Sequence, residues 1–289
     1  MVAKKSNQPF FSIVIPTLNE EKYVPLLLND LVNQTFQDFE VVHVDGKSED
    51  ITMSVAKEAA KHLAFKQIST PVQNVSYQRN KGGQKAAGEW VLFIDADVRL
   101  NQFFLEDLRA QMSFIPSGSI FTTWLSPDEN QAITQTVSQG INLAYEFYRI
   151  IGKPAAIGAF IGAHYSVLEH VQFDETQKVM EDALFIEAAA QHGHPFIIFR
   201  YPRFTFSFRR LRKEGTLKLA KQVVLMNLRY IQGKTFEEDN HGYVMHGGEY
   251  YTTQSPSIFW GMEQYLRAAS KKQLAQTRRL LDSIKELEF

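Results

Sequence analysis

Short apolar runs that end abruptly on polar residues recur in the first hundred positions of the chain. They are Phe10–Ile15, Phe39–Val44, Phe65–Ile68 and Trp90–Ile94. Runs of this length, rich in Val, Ile and Phe, predict strands, and Trp90–Ile94 predicts a central strand covered on both faces. Apolar residues at helical spacing follow the first run, over Val24–Val32. The alternation predicts an α/β fold with a mostly parallel, doubly wound sheet flanked by helices.

The candidate chemistry lies where these runs end. Asp45 follows the second run, and Asp95 and Asp97 follow the fourth. Open α/β sheets bind their ligands at the carboxyl ends of the strands. Two carboxylates one residue apart can hold a hard divalent cation that keeps open positions for phosphate oxygens. A strand end with two solvated carboxylates is the alternative interpretation of this pair alone.

The first run also predicts how the chain leaves the sheet. Because proline cannot donate to a strand ladder, the strand is expected to end at Pro16. Asn19 is then expected to cap the following helix, with Glu20 in its first turn. Gly82, beside the cation Arg79, predicts a turn that lets the backbone approach a bulky group.

Cations and acids in the second half extend the pattern. Four of the five residues from Arg209 to Lys213 are cations. This segment is interpreted either as a solvated loop or as a clamp that binds phosphate. Glu181 and Asp182 open a predicted helix, where acids interact favourably with the helix dipole by about 0.3–1 kcal/mol. That purely structural interpretation stays open from the residues alone.

Composition narrows the functional classes. The 289 residues are 44% hydrophobic, enough for one large domain, alone or with an appendage. A net charge of −1 gives no footprint for nucleic acid, and the absence of cysteine excludes disulfides and thiolate chemistry. Residues 1–9 are polar, unlike a signal peptide, and no stretch reaches the ~20 apolar residues that span a bilayer. The amphipathic stretch Leu217–Ile231 predicts either core packing or contact with a membrane surface.

Five motifs in chain order resemble those of family 2 glycosyltransferases of the GT-A fold, over about residues 10–215. They are Pro16-Thr17-x-Asn19-Glu20, Asp45-Gly46-x-Ser48-x-Asp50, Arg79-Asn80-x-Gly82, Asp95-Ala96-Asp97 and Glu181-Asp182. The specificity comes from the ordered set, since each motif alone is weak. The resemblance implies a flexible N-terminus over 1–9 and a catalytic domain over 10–215. Within that domain, 10–100 would form the nucleotide-binding half and 101–215 the acceptor half, with a mainly helical extension over 216–289.

The resemblance implies a role for each matching residue. Donor-binding residues would be Pro16, Thr17, Asn19, Glu20, Asp45, Arg79, Gly82, Asp95, Arg209 and Arg210, with Asp45 near the base and the two last arginines closing over the diphosphate. Asp97, with Asp95, would hold Mn²⁺ or Mg²⁺. Asp182, beside Glu181, would be the general base, and Gly162 and His164 would lie near the acceptor.

The function implied is transfer of a sugar from a nucleoside-diphosphate sugar, with UDP or GDP as the nucleotide, to an acceptor hydroxyl. One base without a carboxylate nucleophile implies inversion at the anomeric carbon. The acceptor would be a saccharide or a lipid-linked one of a cell envelope glycan, reached in the cytoplasm at the inner face of the membrane.

The sequence also departs from the family pattern in places, and three other functions remain as alternatives. His43 and Lys47 replace an apolar and a small residue, and the Gln-x-x-Arg-Trp sequence of processive synthases is absent. A phosphatase of the haloacid-dehalogenase type would use Asp95 as nucleophile and Asp97 as acid. Sugar-phosphate nucleotidyltransferases share the nucleotide-binding layout, but their glycine-rich N-terminal signature is missing from this chain. A non-catalytic nucleotide-binding module requires Asp182 to lie far from Asp97.

Overall fold

The computed structural model describes residues 8–177, 179–210, 229–230 and 232. The strands are β1 (Phe11–Thr17), β2 (Phe39–Asp45), β3 (Phe65–Ser69), β4 (Trp90–Ile94), β5 (Ile120–Pro127), β6 (Phe160–His164) and β7 (Phe196–Phe206). The helices are α1 (Val24–Val32), α2 (Thr52–Ala59), α3 (Val75–Lys85), α4 (Phe104–Gln111), α5 (Ala132–Ile150), α6 (Tyr165–Leu168) and α7 (Glu181–Gln191), with a 3₁₀ turn over Met112–Phe114.

The seven strands form a single sheet in the order β3-β2-β1-β4-β6-β5-β7. Strands β3, β2, β1 and β4 run parallel, and β5 is parallel to β7. Strand β6 lies antiparallel to both neighbours, β4 and β5. The predicted mostly parallel sheet is confirmed. Because β6 is reversed, the residues that precede it lie at the edge where β1, β2 and β4 end.

Both faces of the sheet are covered. On one face, Ile13 and Ile15 of β1 pack in a cluster with Leu27 and Leu31 of α1. On the other face, Val14 lies beneath α3. The central strands are therefore buried along their whole length, as their continuous apolar runs predict.

Two predictions about the end of β1 are wrong. Pro16 stays in the strand, opposite Val44 of β2. Its missing N–H is tolerated because the pairing of β1 with β4 ends at Val14. Asn19 does not cap α1, which begins at Val24. It has a positive φ of 55°, and its side chain accepts a hydrogen bond from the Glu49 amide at 2.8 Å.

The predicted division into domains stays a prediction. Residues 1–7 lie outside the described part of the chain. So does the proposed extension over 216–289, apart from Arg229, Tyr230 and Gln232. Tyr230 is 1% exposed, and its hydroxyl donates to the Pro154 carbonyl at 3.1 Å. Within the described residues, no helix combines the length and the apolar character that crossing a membrane requires.

Candidate active site

The end of β4 is tied to the turn that precedes β6. The Asp95 amide donates to the Ala159 carbonyl at 3.1 Å, and the Val98 amide donates back to the Asp95 carbonyl at 3.1 Å. This turn brings Asp95 close to Gly158, since Arg79 Nη2 donates both to Asp95 Oδ1 and to the Gly158 carbonyl. The predicted location of the acid pair at the carboxyl edge of the sheet is confirmed.

One buried guanidinium joins three elements at this edge. Arg79 of α3 is 2% exposed. Its Nη1 contacts Glu181 Oε1 of α7 at 3.0 Å, and its Nη2 contacts Asp95 Oδ1 at 3.0 Å. Nη2 also donates to the Gly158 carbonyl at 3.1 Å. Arg79 therefore sets the positions of the Asp95 carboxylate and of the first turn of α7 relative to each other.

Asp182 follows Glu181 in the first turn of α7 and faces the same turn. Its Oδ2 accepts a hydrogen bond from the Gly158 amide at 2.5 Å, and its Oδ1 accepts one from the Ala183 amide at 2.7 Å. Burial and the neighbouring Glu181 together raise the pKa of Asp182 to about 7, against the opposing effect of Arg79. A carboxylate with this pKa can accept a proton near neutral pH.

Asp97 belongs to a second ion-pair cluster. Arg209 Nε lies 3.0 Å from Asp97 Oδ2, and its Nη1 and Nη2 contact the two Glu20 oxygens at 2.9 and 2.6 Å. The same guanidinium lies over the Tyr23 ring, 4.6 Å from its centre. Burial raises the pKa of Asp97 to about 7, although Arg209 favours the charged form. Arg210, next along the chain, is half-buried.

A directed hydrogen-bond chain lies at the ends of β1 and β2. Gln67 Nε2 contacts His43 Nδ1 at 3.1 Å, and His43 Nε2 contacts the Thr17 hydroxyl at 2.8 Å. Burial lowers the pKa of His43 to about 4, so the ring is neutral and donates through Nε2. The Thr17 hydroxyl then donates to Asp45 Oδ1 at 3.1 Å.

Neighbouring residues occupy most of the hydrogen-bond acceptor positions of the Asp45 carboxylate. Its Oδ1 also accepts from the Ser48 hydroxyl at 2.6 Å, and its Oδ2 accepts from the Ser48 amide at 2.9 Å. A carboxylate has about four acceptor positions, two on each oxygen. Among these contacts, one position on Oδ2 remains for a ligand.

Two predicted site residues, Gly82 and Gly162, are packed against other elements in the core of the structure. Gly82 lies inside α3 and forms no turn, and a Cβ there would lie 2.2 Å from Val14 Cγ1. A Cβ on Gly162 of β6 would lie 2.0 Å from Phe121 Cζ. Both glycines allow close packing in the core. The predicted turn at Gly82 is therefore wrong, while the donor-side role of Gly82 and the acceptor-side role of Gly162 stay predictions.

The direction of β6 places His164 away from the Asp95 edge of the sheet, and its predicted acceptor-side role stays a prediction. His164 pairs with Trp90 at the start of β4, at the opposite edge of the sheet from Asp95. Its ring packs against Trp90, and its Nδ1 contacts the Ser166 hydroxyl at 2.8 Å. The residue at the functional edge is instead Gly158, which sequence reasoning missed. The only indication was the run of small residues before β6.

The donor set fits a divalent cation whose coordination a ligand completes. Five carboxylates gather here with two guanidinium groups, Arg79 and Arg209; they are Glu20, Asp95, Asp97, Glu181 and Asp182. The excess negative charge favours a cation. The described residues include no cluster of three or more His, Cys, Asp or Glu that could hold a metal alone. Mg²⁺ and Mn²⁺ are commonly held by one or two carboxylates together with phosphate oxygens.

Comparison with known proteins identifies the family. The model of "Glycosyl transferase family 2" matches residues 12–172. The poly(ribitol-phosphate) beta-N-acetylglucosaminyltransferase TarS of Staphylococcus aureus is 39% identical over 104 residues, which are 35% of this chain and 18% of TarS. A dolichyl N-acetyl-alpha-D-glucosaminyl phosphate 3-beta-D-2,3-diacetamido-2,3-dideoxy-beta-D-glucuronosyltransferase of Methanococcus voltae is 35% identical over 34% of this chain and 32% of its own length. The chain thus matches about a third or less of these relatives' length.

Solved structures agree with the sequence matches. S. aureus TarS 1-349 in complex with UDP-GlcNAc superposes with a TM-score of 0.57 at 25% identity, over 68% of this chain and 58% of that one. The mannosyltransferase PcManGT from Pyrobaculum calidifontis, in complex with GDP-Man and Mn²⁺, gives a TM-score of 0.61 at 17% identity, over 96% and 76%. The second likeness shows the fold alone. Because the family model matches more than half of this chain, the chain belongs to glycosyl transferase family 2, and its fold is GT-A.

Proposed function

We propose that the protein transfers a sugar from a nucleoside-diphosphate sugar to an acceptor hydroxyl with inversion at the anomeric carbon. The observation that carries the proposal is the junction at Arg79, which holds Asp95 of the donor side and the Glu181-Asp182 turn together. A proton acceptor and the acid pair at the end of β4 thus share one site. This juxtaposition argues against a non-catalytic nucleotide-binding module.

In the proposed reaction, Asp182 acts as the general base. It accepts the proton of the acceptor hydroxyl while the acceptor oxygen attacks the anomeric carbon, and the bond to the nucleoside diphosphate breaks. Glu181 is held by Arg79 and does not compete as a base. A single displacement from the face opposite the leaving group inverts the configuration.

Asp97, assisted by Asp95, is the proposed ligand of Mn²⁺ or Mg²⁺. When bound, the cation supplies positive charge beside the departing diphosphate. Arg209 already pairs with both Asp97 and Glu20, so its guanidinium and a metal ion compete for Asp97 Oδ2. We propose that Arg209 moves from Asp97 to the diphosphate when the donor binds, with Arg210 contributing beside it. That the fold neighbour PcManGT forms a complex with GDP-Man and Mn²⁺ supports the use of a divalent cation in this fold.

The other end of the site is proposed to bind the nucleoside. Thr17, Asn19 and Glu20 form the loop at the end of β1, and Asp45 offers one open acceptor position. One open position suits a base that presents a single N–H, as uracil does, better than guanine, which presents two. UDP is therefore favoured over GDP, and neighbours crystallised with UDP-GlcNAc, UDP and GDP-Man support this class of donor.

The proposed acceptor is a lipid-linked or saccharide component of a cell envelope glycan, reached at the cytoplasmic face of the membrane. Support comes from the relatives, one of which is named for a dolichyl-phosphate-linked sugar and another for poly(ribitol-phosphate).

Calorimetry with UDP, GDP, UDP-GlcNAc and GDP-Man, each with and without Mn²⁺, tests the donor side. We expect Mn²⁺-dependent binding of the uridine ligands that Asp97→Asn abolishes. Asp107→Asn, which changes a half-buried carboxylate that accepts a hydrogen bond from the Tyr201 hydroxyl, is the matched control. Proton NMR of the product's anomeric configuration tests inversion. Absence of binding, together with hydrolysis of a simple phosphate ester, would reverse the conclusion in favour of a phosphatase.

A further inference from the structure

Helix α5 presents apolar side chains to solvent along one face. Leu143, Phe147, Ile150 and Ile151 are 62%, 54%, 77% and 40% exposed. Their spacing of four, seven and eight residues from Leu143 places them in one row, which we call the α5 apolar row. The buried residues of the same helix are mostly polar, namely Thr134, Ser138, Asn142 and Tyr145. A surface helix usually has the opposite arrangement, so the row indicates a binding surface.

Specific hydrogen bonds fix this orientation of the helix. Asn142 Nδ2 donates to the Leu125 carbonyl of β5 at 2.9 Å, and Asn142 Oδ1 accepts from the Leu125 amide at 2.9 Å. The Tyr145 hydroxyl accepts from the Ile157 amide at 3.3 Å. Rotating α5 to bury its apolar row would break all three bonds and leave buried polar groups unpaired.

Cations border the α5 apolar row. Arg149 and Arg200 both pair with Glu146, and Lys153 pairs with Glu187. The side chains of these cations are 51%, 69% and 32% exposed, whereas each acid is only 15% exposed. The acids therefore lie inside and the positive charges face outward, so the border attracts an anionic surface.

We propose that the α5 apolar row and its cationic border form a membrane-docking surface for a bilayer with anionic headgroups. Apolar side chains on one face of a helix, beside exposed Arg and Lys, are the features with which interfacial helices enter the headgroup region. Exposed Arg and Lys side chains near such a surface are attracted by its negative potential. Because the exposed charges of the border are positive, we favour an anionic lipid surface over an uncharged apolar partner.

The α5 apolar row is connected along the chain to the candidate active site, and in this respect the inference rests on the proposed function. Helix α5 ends at Ile150, and the chain returns at Gly158, whose amide binds Asp182. The Tyr145–Ile157 hydrogen bond couples the helix to this turn. Docking through α5 would therefore hold the proposed base at a fixed height above the headgroups, where the hydroxyl of a lipid-linked acceptor lies.

Vesicle flotation of the full chain tests the proposal without donor or acceptor. We expect wild type to float with phosphatidylcholine vesicles containing phosphatidylglycerol, and Leu143→Gln/Phe147→Gln to lose about tenfold or more of that binding, because binding strength scales with the apolar area that enters the bilayer. Phe114→Gln is the matched control, because Phe114 is 83% exposed and lies outside α5. Arg149→Gln/Arg200→Gln is expected to weaken binding to anionic vesicles and to leave binding to pure phosphatidylcholine unchanged.

Three outcomes would overturn the proposal. One is that wild type fails to float, and another is that the α5 variants float as wild type does, as they would if Leu217–Ile231 carried the binding. The third is that wild type is a dimer by light scattering and Leu143→Gln/Phe147→Gln is a monomer, which would assign the row to a second copy of the chain. Calorimetry with UDP on the same variants separates this test from the proposed function, since donor binding is expected to stay unchanged.

Discussion

At the scale of single residues, the environment of Asp182 determines the expected pH dependence of catalysis. The pKa of Asp182 is raised to about 7, and a base must be deprotonated to accept a proton. We predict that kcat/KM falls about tenfold per pH unit below pH 7 and levels off above it. Asp182→Asn is expected to lower kcat by about 10²–10⁴ and to remove this dependence. An unchanged pH profile in the variant would assign the base to another group.

Arg79 is predicted to be a main determinant of stability at the site. It is 2% exposed, and its removal leaves Glu181 and Asp95 with unpaired charge. Arg79→Met is expected to lower the free energy of unfolding by about 3–5 kcal/mol. Arg99→Met, which breaks an ion pair with Asp30 whose arginine is 44% exposed, is expected to cost about 1 kcal/mol or less. Urea denaturation measures both, and equal losses would contradict the assigned role of burial.

At the scale of elements, two glycines within helices are predicted to have opposite effects. A Cβ at Gly82 of α3 would overlap Val14, so Gly82→Ala is expected to cost about 1–3 kcal/mol. Gly140 of α5 has nothing within 4 Å of its Cβ position, and Gly140→Ala is expected to stabilise by about 0.5–1 kcal/mol. Thermal denaturation of the two variants side by side is the measurement. A stabilised Gly82→Ala would show that α3 does not pack tightly on β1.

Sequence reasoning located the parallel part of the sheet and its acids. Asp45, Asp95 and Asp97 could be placed because parallel strands bring their carboxyl ends to one edge, so that local apolar runs are sufficient. Glu181 and Asp182 were placed at a helix start from the acids and the apolar residues behind them.

The errors share one cause: they depend on contacts between residues far apart in the chain, which the local sequence pattern does not reveal. The reversed β6 carries His164 away from the site and brings Gly158 to it, and no residue within the strand encodes its direction. Gly82 resembles a turn residue, yet a glycine is needed there because the helix packs closely on Val14, 68 positions away in the sequence. Asn19 is drawn from its expected capping position by hydrogen bonds to Ser48 and Glu49.

At the scale of the whole molecule, buried titratable groups oppose one another in the pH dependence of stability. Asp97 and Asp182 have raised pKa values of about 7, so they favour the folded state at low pH and lose that contribution as pH rises towards 7. His43 has a lowered pKa of about 4, so its contribution is full above its ordinary pKa of 6.5 and is lost as pH falls towards 4.

His43→Gln is predicted to remove the part of the stability loss at acidic pH that comes from protonation of His43. Between pH 7 and 4.5, wild type is expected to lose about 2–3 kcal/mol relative to the variant, since each tenfold change in proton affinity corresponds to about 1.4 kcal/mol. Urea denaturation at the two pH values gives this difference, and the comparison cancels any packing defect common to both. Parallel profiles for the two proteins would contradict a buried neutral histidine.

The hydrogen bond from the Gly158 amide to Asp182 makes the protonation state of the proposed base visible by spectroscopy. A backbone N–H that donates to a carboxylate at 2.5 Å should shift strongly when the carboxylate gains a proton, and glycine amides resonate in their own region of the ¹H–¹⁵N spectrum. Gly158 therefore provides a native NMR probe with which the charge on Asp182 can be followed through a titration, in the free protein and without any acceptor.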